Sequence, residues 1–167
     1  MRNYADKQDF ILSQSRDFSG CDLSGIDLRA VDLSGVNFAG ADLRGANLCG
    51  SILTGANLRE ANLTQASLCD ADLSEADLTE AKLIEASLIE ANLVRANLAG
   101  AKLCGAKLLE ANLTEANLIG ADLRWANLTE ANLIEAKLWG SILTHTKLVD
   151  AIMPDGTIQE PQIIFVA

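Results

Sequence analysis

Cys49 and Cys69 stand 20 residues apart, and the same interval separates five carboxylates, Asp70, Glu90, Glu110, Glu130 and Asp150. Thiols carried on neighbouring rungs would form an adjacent pair, and their Cα separation would suit a disulfide. A reducing compartment favours the free thiols. Carboxylates aligned at strand spacing would make a row of negative charge, with each adjacent pair repelling by about 1 kcal/mol in a water-like dielectric. The single histidine, His145, lies in Ser141-Ile142-Leu143-Thr144-His145 with no Cys, Ser or acid constellation, and reads as a surface side chain. No P-loop, dinucleotide fingerprint, zinc motif or calcium motif occurs, and no two cysteines form Cys-x-x-Cys. No catalytic, cofactor-binding or metal-ligating residue is assigned, no cofactor is expected, and the chain does not read as an enzyme.

A shorter period underlies the interval of 20. From Phe18 to Met153 a large apolar residue recurs at every fifth position through 28 registers, 25 of them Leu and the others Phe18, Phe38 and Met153. Ala stands two residues earlier in 20 of the 28. On an α-helix this spacing would step the Leu residues by ~140° and wrap every face, leaving no apolar stripe. In a straight strand an odd period would throw successive Leu to opposite faces. The pattern is satisfied if the chain turns once per unit: a short extended piece points Ala and Leu inward, and the other three positions face out and form a corner. Stacked coils then bury a continuous column that no single coil could bury alone.

The units Ala41-Asp42-Leu43-Arg44-Gly45, Ala61-Asn62-Leu63-Thr64-Gln65 and Ala111-Asn112-Leu113-Thr114-Glu115 resemble the A-(D/N)-L-x-x consensus of the pentapeptide-repeat family. The resemblance implies an all-β fold, a right-handed quadrilateral parallel β-helix with four pentapeptides per coil. It would have about seven coils and a length of roughly 34 Å. It also implies one of two roles. Similar proteins are abundant in cyanobacteria, where most have no assigned activity and some act in developmental regulation by binding other proteins. Others modulate DNA gyrase as acidic DNA mimics and work as rod-shaped dimers.

The chain is one domain's worth at 167 residues, and its aromatic content of 4% suits a narrow interior. The expected organisation is an N-terminal cap over 1–13 with a short helix, the β-helix over 14–156, and an apolar tail or cap over 157–167. Phe18 and Phe38 should stack on one face, with Ile26, Val31 and Val36 widening the first coils. Met153-Pro154-Asp155-Gly156-Thr157 carries strong turn chemistry. No stretch reaches 18 apolar residues, and the N-terminus lacks an apolar signal core, so a cytoplasmic location is expected and no membrane association.

Asn or Asp fills the second position of 18 of the 28 units, where it can bond nearby backbone and stack in ladders. Cys21 replaces an inward Ala and reads as core; Cys49 and Cys69 occupy matching outward fourth positions. Apolar residues at outward positions, Ile84, Ile89, Val94, Leu109, Trp125, Ile134 and Trp139, form the candidate interaction surface. The reading that follows is a non-catalytic, rigid protein–protein interaction module, monomeric or dimeric through an end of the solenoid. Gyrase modulation by DNA mimicry is the alternative. Charge weighs against it: 23 acids and 13 bases give a net charge of −10, whereas duplex DNA of similar length carries ~20 charges. The sign of the charge disfavours direct nucleic-acid binding.

Overall fold

The computed structural model describes residues 15–160. Each pentapeptide contributes one backbone bridge at its second residue, and every parallel bridge joins residues 20 apart, from Asp17↔Asn37 to Asn132↔Ile152. Four pentapeptides therefore close one coil. We number the coils 1 to 7, starting at 16, 36, 56, 76, 96, 116 and 136. Faces one to four are defined by the inward residues Phe18, Leu23, Leu28 and Leu33 and those stacked above them.

The corner is the same throughout. The N–H of each first-position residue donates to the carbonyl of the Leu three residues before it, as Ala46 does to Leu43 at 3.0 Å. The residue between them at the fifth position takes positive φ at all 27 corners from Gly20 to Asp150, with the fourth position outside that region. This is a type II turn pattern. Glycine fills 11 of these corners; 16 are non-glycine, including an unbroken run from Glu60 to Arg95. An L-residue held there costs roughly 1–2 kcal/mol, so the corner is imposed by the stacking on both sides.

Three further backbone hydrogen bonds per unit tie coil to coil. The third- and fifth-position N–H groups donate upward, as in Leu43 to Asn62 at 2.8 Å and Gly45 to Thr64 at 3.0 Å, and the second-position N–H donates downward, as in Asp42 to Cys21 at 2.9 Å. That leaves the fourth-position N–H without a backbone acceptor. All 18 second-position Asn and Asp residues supply one, each accepting that N–H on Oδ1 two residues away. Several also bond across coils, as Asn117 Nδ2 to Asn97 Oδ1 at 2.9 Å and Asn57 Nδ2 to Asn37 Oδ1 at 2.9 Å.

Inside, the Leu and Ala columns are sealed from Leu23 to Ala136. Phe18 and Phe38 stack on face one with ring centroids 5.7 Å apart, and Ile26 and Val36 are buried in the same first coils. The column opens in coil 7, where Leu138, Leu143, Leu148 and Met153 are only partly buried. There the repeat ends in a hairpin. Gly156 N–H donates to Met153 O at 2.9 Å, Gly156 has φ +83, and Met153 N–H donates to Thr157 O at 2.7 Å. Pro154 and Asp155 form a tight turn, and Gly156 takes the left-handed residue that follows it in three-residue hairpin loops. The chain reverses, and Ile158 pairs antiparallel with Ile152. No helix occurs among the described residues; the helical cap expected over 1–13 and the tail beyond 160 lie outside them.

Two stability outcomes follow from this geometry. Leu93 is fully buried in an apolar column, so Leu93→Asp should lose several kcal/mol or fail to fold cooperatively, as read by thermal melting. Asn112 uses only its Oδ1, whereas Asn117 also donates through Nδ2. Asn112→Asp should therefore melt within about 0.5 kcal/mol of wild type, while Asn117→Asp should cost about 1–2 kcal/mol.

Candidate interaction surface

The five row carboxylates occupy the fifth-position corners of face three in coils 3 to 7. Asp70, Glu90, Glu110, Glu130 and Asp150 have φ between 55 and 59° and are exposed. None takes part in the five ion pairs among the described residues, which are Arg29–Asp27, Arg44–Asp42, Arg59–Asp77, Arg95–Glu75 and Arg124–Asp122. The arginines are held by local partners, three of them within their own pentapeptide. The row is thus uncompensated at contact range; Lys107 and Lys147 stand exposed at second positions of the same face.

The candidate apolar set divides. Ile89 and Leu109 stack on face three beside the row and are half-buried, as are Val94 and Ile134 on face four, while Ile84 on face two is exposed. Trp125 and Trp139 are the most open of the set, 63% and 82% exposed. Around them the structure adds residues that the repeat pattern did not single out. Of eight exposed large apolar residues among those described, six fall in coils 6 and 7 and the closing hairpin: Ile119, Trp125, Trp139, Ile142, Val149 and Ile158. Trp139 sits one coil above Ile119 on face one. Trp125 stacks on His145 one coil above it, with ring centroids 4.0 Å apart. His145 is exposed, and its ring forms part of this aromatic surface.

A local rule accounts for part of this set, although Val94, Ile119 and Ile134 stand in units that keep the Asn cap. Where the second residue is Asp or Asn, the fourth is mostly Ser, Thr or Arg, which often bonds the same side chain, as Thr114 Oγ1 does to Asn112 at 2.6 Å and Arg44 Nε to Asp42 at 2.8 Å. Where the second residue is Ile, Ser or Lys, that acceptor is lost. The fourth position then holds Cys69, Ile84, Ile89, Cys104, Leu109, Trp139 or Val149 in seven of ten cases. None of those seven N–H groups has a backbone or Asx acceptor among the described residues, and the Cys69 N–H is directed to the Cys49 thiol. A bulky side chain there has no polar neighbour to satisfy. The signal was present in the sequence as the pairing of second- and fourth-position types within one unit. Pro154, at the same position after Ile152, has no N–H to satisfy.

All four cysteines are free. Cys21 is buried in the first coil, and Cys49, Cys69 and Cys104 are half-buried. Burial pushes the Cys49 thiol up; the Cys69 N–H opposes this, while the Cys69 thiol and the Asp70 carboxylate add to the rise. Among the described residues no cluster of three or more His, Cys, Asp or Glu side chains could hold a metal ion.

A four-sided, right-handed β-helical solenoid with exposed rows of side chains defines the class. The chain belongs to the pentapeptide-repeat family: the family model for pentapeptide repeats matches in eight copies, over residues 17–55, 56–94, 91–129 and 126–155. Among solved structures it is 37% identical to HetL, a pentapeptide repeat protein involved in heterocyst differentiation regulation in the cyanobacterium Nostoc, over 86% of this chain and 78% of that one, with a TM-score of 0.36. A pentapeptide repeat protein from the cyanobacterium Cyanothece is 29% identical over 83% of this chain and 95% of its own, with a TM-score of 0.32. QnrB1, a plasmid-mediated fluoroquinolone resistance protein, is 24% identical over 80% of this chain and 67% of that one, with a TM-score of 0.62. That last likeness is one of fold. No curated protein is significantly similar to the chain.

The second-position carboxylates set the acid limit of the fold. Asp22 and Asp32 are held below the usual carboxylate range by the hydroxyl and N–H of Ser24 and Ser34, and Asp42 and Asp122 by Arg44 and Arg124. Burial pushes Asp72 and Asp77 up, but their hydrogen bonds outweigh it and the net direction is again down. With folded values depressed, this stabilisation is complete above the unfolded value of about 3.9 and is lost as pH falls through the folded values. The melting temperature should therefore be level from about pH 5 to 8 and decline below about pH 4. Asp22→Asn, which keeps the acceptor and removes the proton, should shallow that decline.

Proposed function

We propose that this protein is a non-catalytic scaffold that binds a protein partner through the C-terminal coils. The observation that carries the reading is the concentration of exposed apolar residues there. Both tryptophans of the chain lie in coils 6 and 7, and Trp is the side chain most enriched among residues that dominate binding energy. Soluble surfaces scatter single apolar residues freely, but a contiguous patch marks a contact site. Ile119 and Trp139 on face one, with Ile142 and the Trp125–His145 pair on face two, make such a patch across one corner of the solenoid.

The end of the solenoid supports a second contact of the same kind. The N–H groups of Leu138, Gly140, Leu143 and His145 have no acceptor among the described residues, and partly buried Leu side chains lie beneath them. An edge of this type pairs readily with another chain. Dimerisation through this end is consistent with that edge.

The alternative reading, mimicry of DNA toward gyrase, draws on the uncompensated carboxylate row. One carboxylate per rung of ~4.8 Å is about a third of the charge density of duplex DNA, which carries one phosphate per ~1.7 Å of axis. HetL lends the scaffold reading a regulatory context, although the shared repeat itself fixes Ala and Leu at two positions of every five and accounts for most of such an identity.

One set of variants separates the readings. Trp125→Ala with Trp139→Ala should lower affinity for a partner isolated from native extract by tenfold or more, about 1.4 kcal/mol or above, with weak salt dependence. Replacing Asp70, Glu90, Glu110, Glu130 and Asp150 by Asn or Gln should leave that affinity unchanged. If the charge variant instead loses binding and the wild-type protein inhibits gyrase supercoiling in a salt-sensitive way, mimicry is the function.

A further inference from the structure

The pair formed by Cys49 and Cys69 lies outside the surface just described. Both occupy the fourth position of face three, in coils 2 and 3. The register is pinned on either side: Leu48 N–H donates to Ser67 O at 2.7 Å, and Gly50 N–H donates to Cys69 O at 2.8 Å. The two side chains leave the backbone in the same direction from adjacent rungs and are half-buried. Cys69 Sγ also lies 3.2 Å from Ser87 Oγ on the rung above. Ile89 caps the column on that side.

We propose that Cys49 and Cys69 form a two-sulfur site for a soft, closed-shell monovalent metal ion with the chemistry of Cu(I). The donor count makes the selection. The remaining cysteines are elsewhere, Cys21 inside coil 1 and Cys104 on face two, and no third His, Cys, Asp or Glu joins the pair among the described residues. Zinc centres take three or four such ligands and iron–sulfur centres four. Calcium and magnesium take oxygen. Thiolate sulfur selects Cu(I), and a monovalent soft ion is satisfied by two thiolates on opposite sides of it.

The spacing points the same way. In an in-register parallel ladder the Cα–Cβ bonds run parallel, so the Cβ atoms stay near the strand spacing of about 4.8 Å. A disulfide wants them at roughly 3.5–4.5 Å. Closing the pair would compress rungs that the flanking hydrogen bonds hold apart, whereas an ion between the sulfurs fits the open spacing. Binding replaces both thiol protons: two S–H bonds break, two S–metal bonds form, and two protons leave to solvent. The complex carries one net negative charge. Arg29, next in the same column and held by Asp27 at 2.7 Å, lies within electrostatic range of Cys49 to balance it. Because binding displaces both thiol protons, affinity rises with pH.

The test uses the reduced full chain under anaerobic conditions, titrated with Cu(I) held by the chromophoric chelator bicinchoninate. The expected result is transfer of a single equivalent per chain, with X-ray absorption showing two sulfur neighbours and a rise in melting temperature on loading. Cys49→Ser and Cys69→Ser, each folded by circular dichroism, should abolish transfer, and Cys104→Ser should leave it intact. No transfer to wild type, or transfer undiminished in Cys49→Ser, overturns the proposal. So does rapid formation of a Cys49–Cys69 disulfide with glutathione disulfide in protein that takes up no copper, which would make the pair a redox couple.

Discussion

The constraint on which everything else rests is the left-handed corner. A chain that turns through the same positive-φ residue every five positions has no freedom in where its next side chain points. Once 27 corners agree, the inward column, the backbone ladders and the outward rows are consequences. The non-glycine corners show how strongly the stacking imposes this. Eight consecutive corners from Glu60 to Arg95 hold L-residues in a conformation they avoid when isolated. Each is clamped by the fifth-position N–H bonded to the coil above and by the turn bond across it. The long polar side chains there project from the edges of the rod, which is why charge collects in corner rows.

The second constraint is the orphan N–H at each fourth position. Asn and Asp are common in the second position because they cap it, in the manner of an Asx turn repeated along the molecule. This makes surface composition a matter of local chemistry. Most units with the cap carry polar fourth residues that share the carboxylate or amide; most units without it carry apolar residues or cysteine. Both the half-buried strip of Cys69, Ile89 and Leu109 and the exposed Trp139 fall in uncapped units.

Much of this was legible in the residues alone. The unbroken phase from Phe18 to Met153 fixes which side chains are inside, and Phe18 and Phe38, 20 apart, do stack. The turn residues Pro154 to Gly156 announce a change of course. The pattern does not show that the chain doubles back there into an antiparallel pairing, because period five describes propagation and says nothing of termination. Nor does it show how exposed apolar residues distribute. The spacing alone already puts Ile84, Ile89 and Val94 on three successive sides, but it does not show that Trp125 and His145, 20 residues apart, stack ring on ring. Neighbourhood on this molecule is counted in twenties.

That arithmetic has an evolutionary corollary. Because every bridge spans 20 residues, inserting or deleting one whole pentapeptide would preserve every corner and the core, yet turn all that follows by one side. The acidic corner row would break at that point, its distal members resuming on an adjacent edge, and Cys49 and Cys69 would part if the change fell between them. Four pentapeptides added together would lengthen the rod and restore each column. Single-unit slippage, which keeps the corners and the core, is thus a rotary mutation of the surface. A lineage selected for a given face should gain or lose length in whole coils.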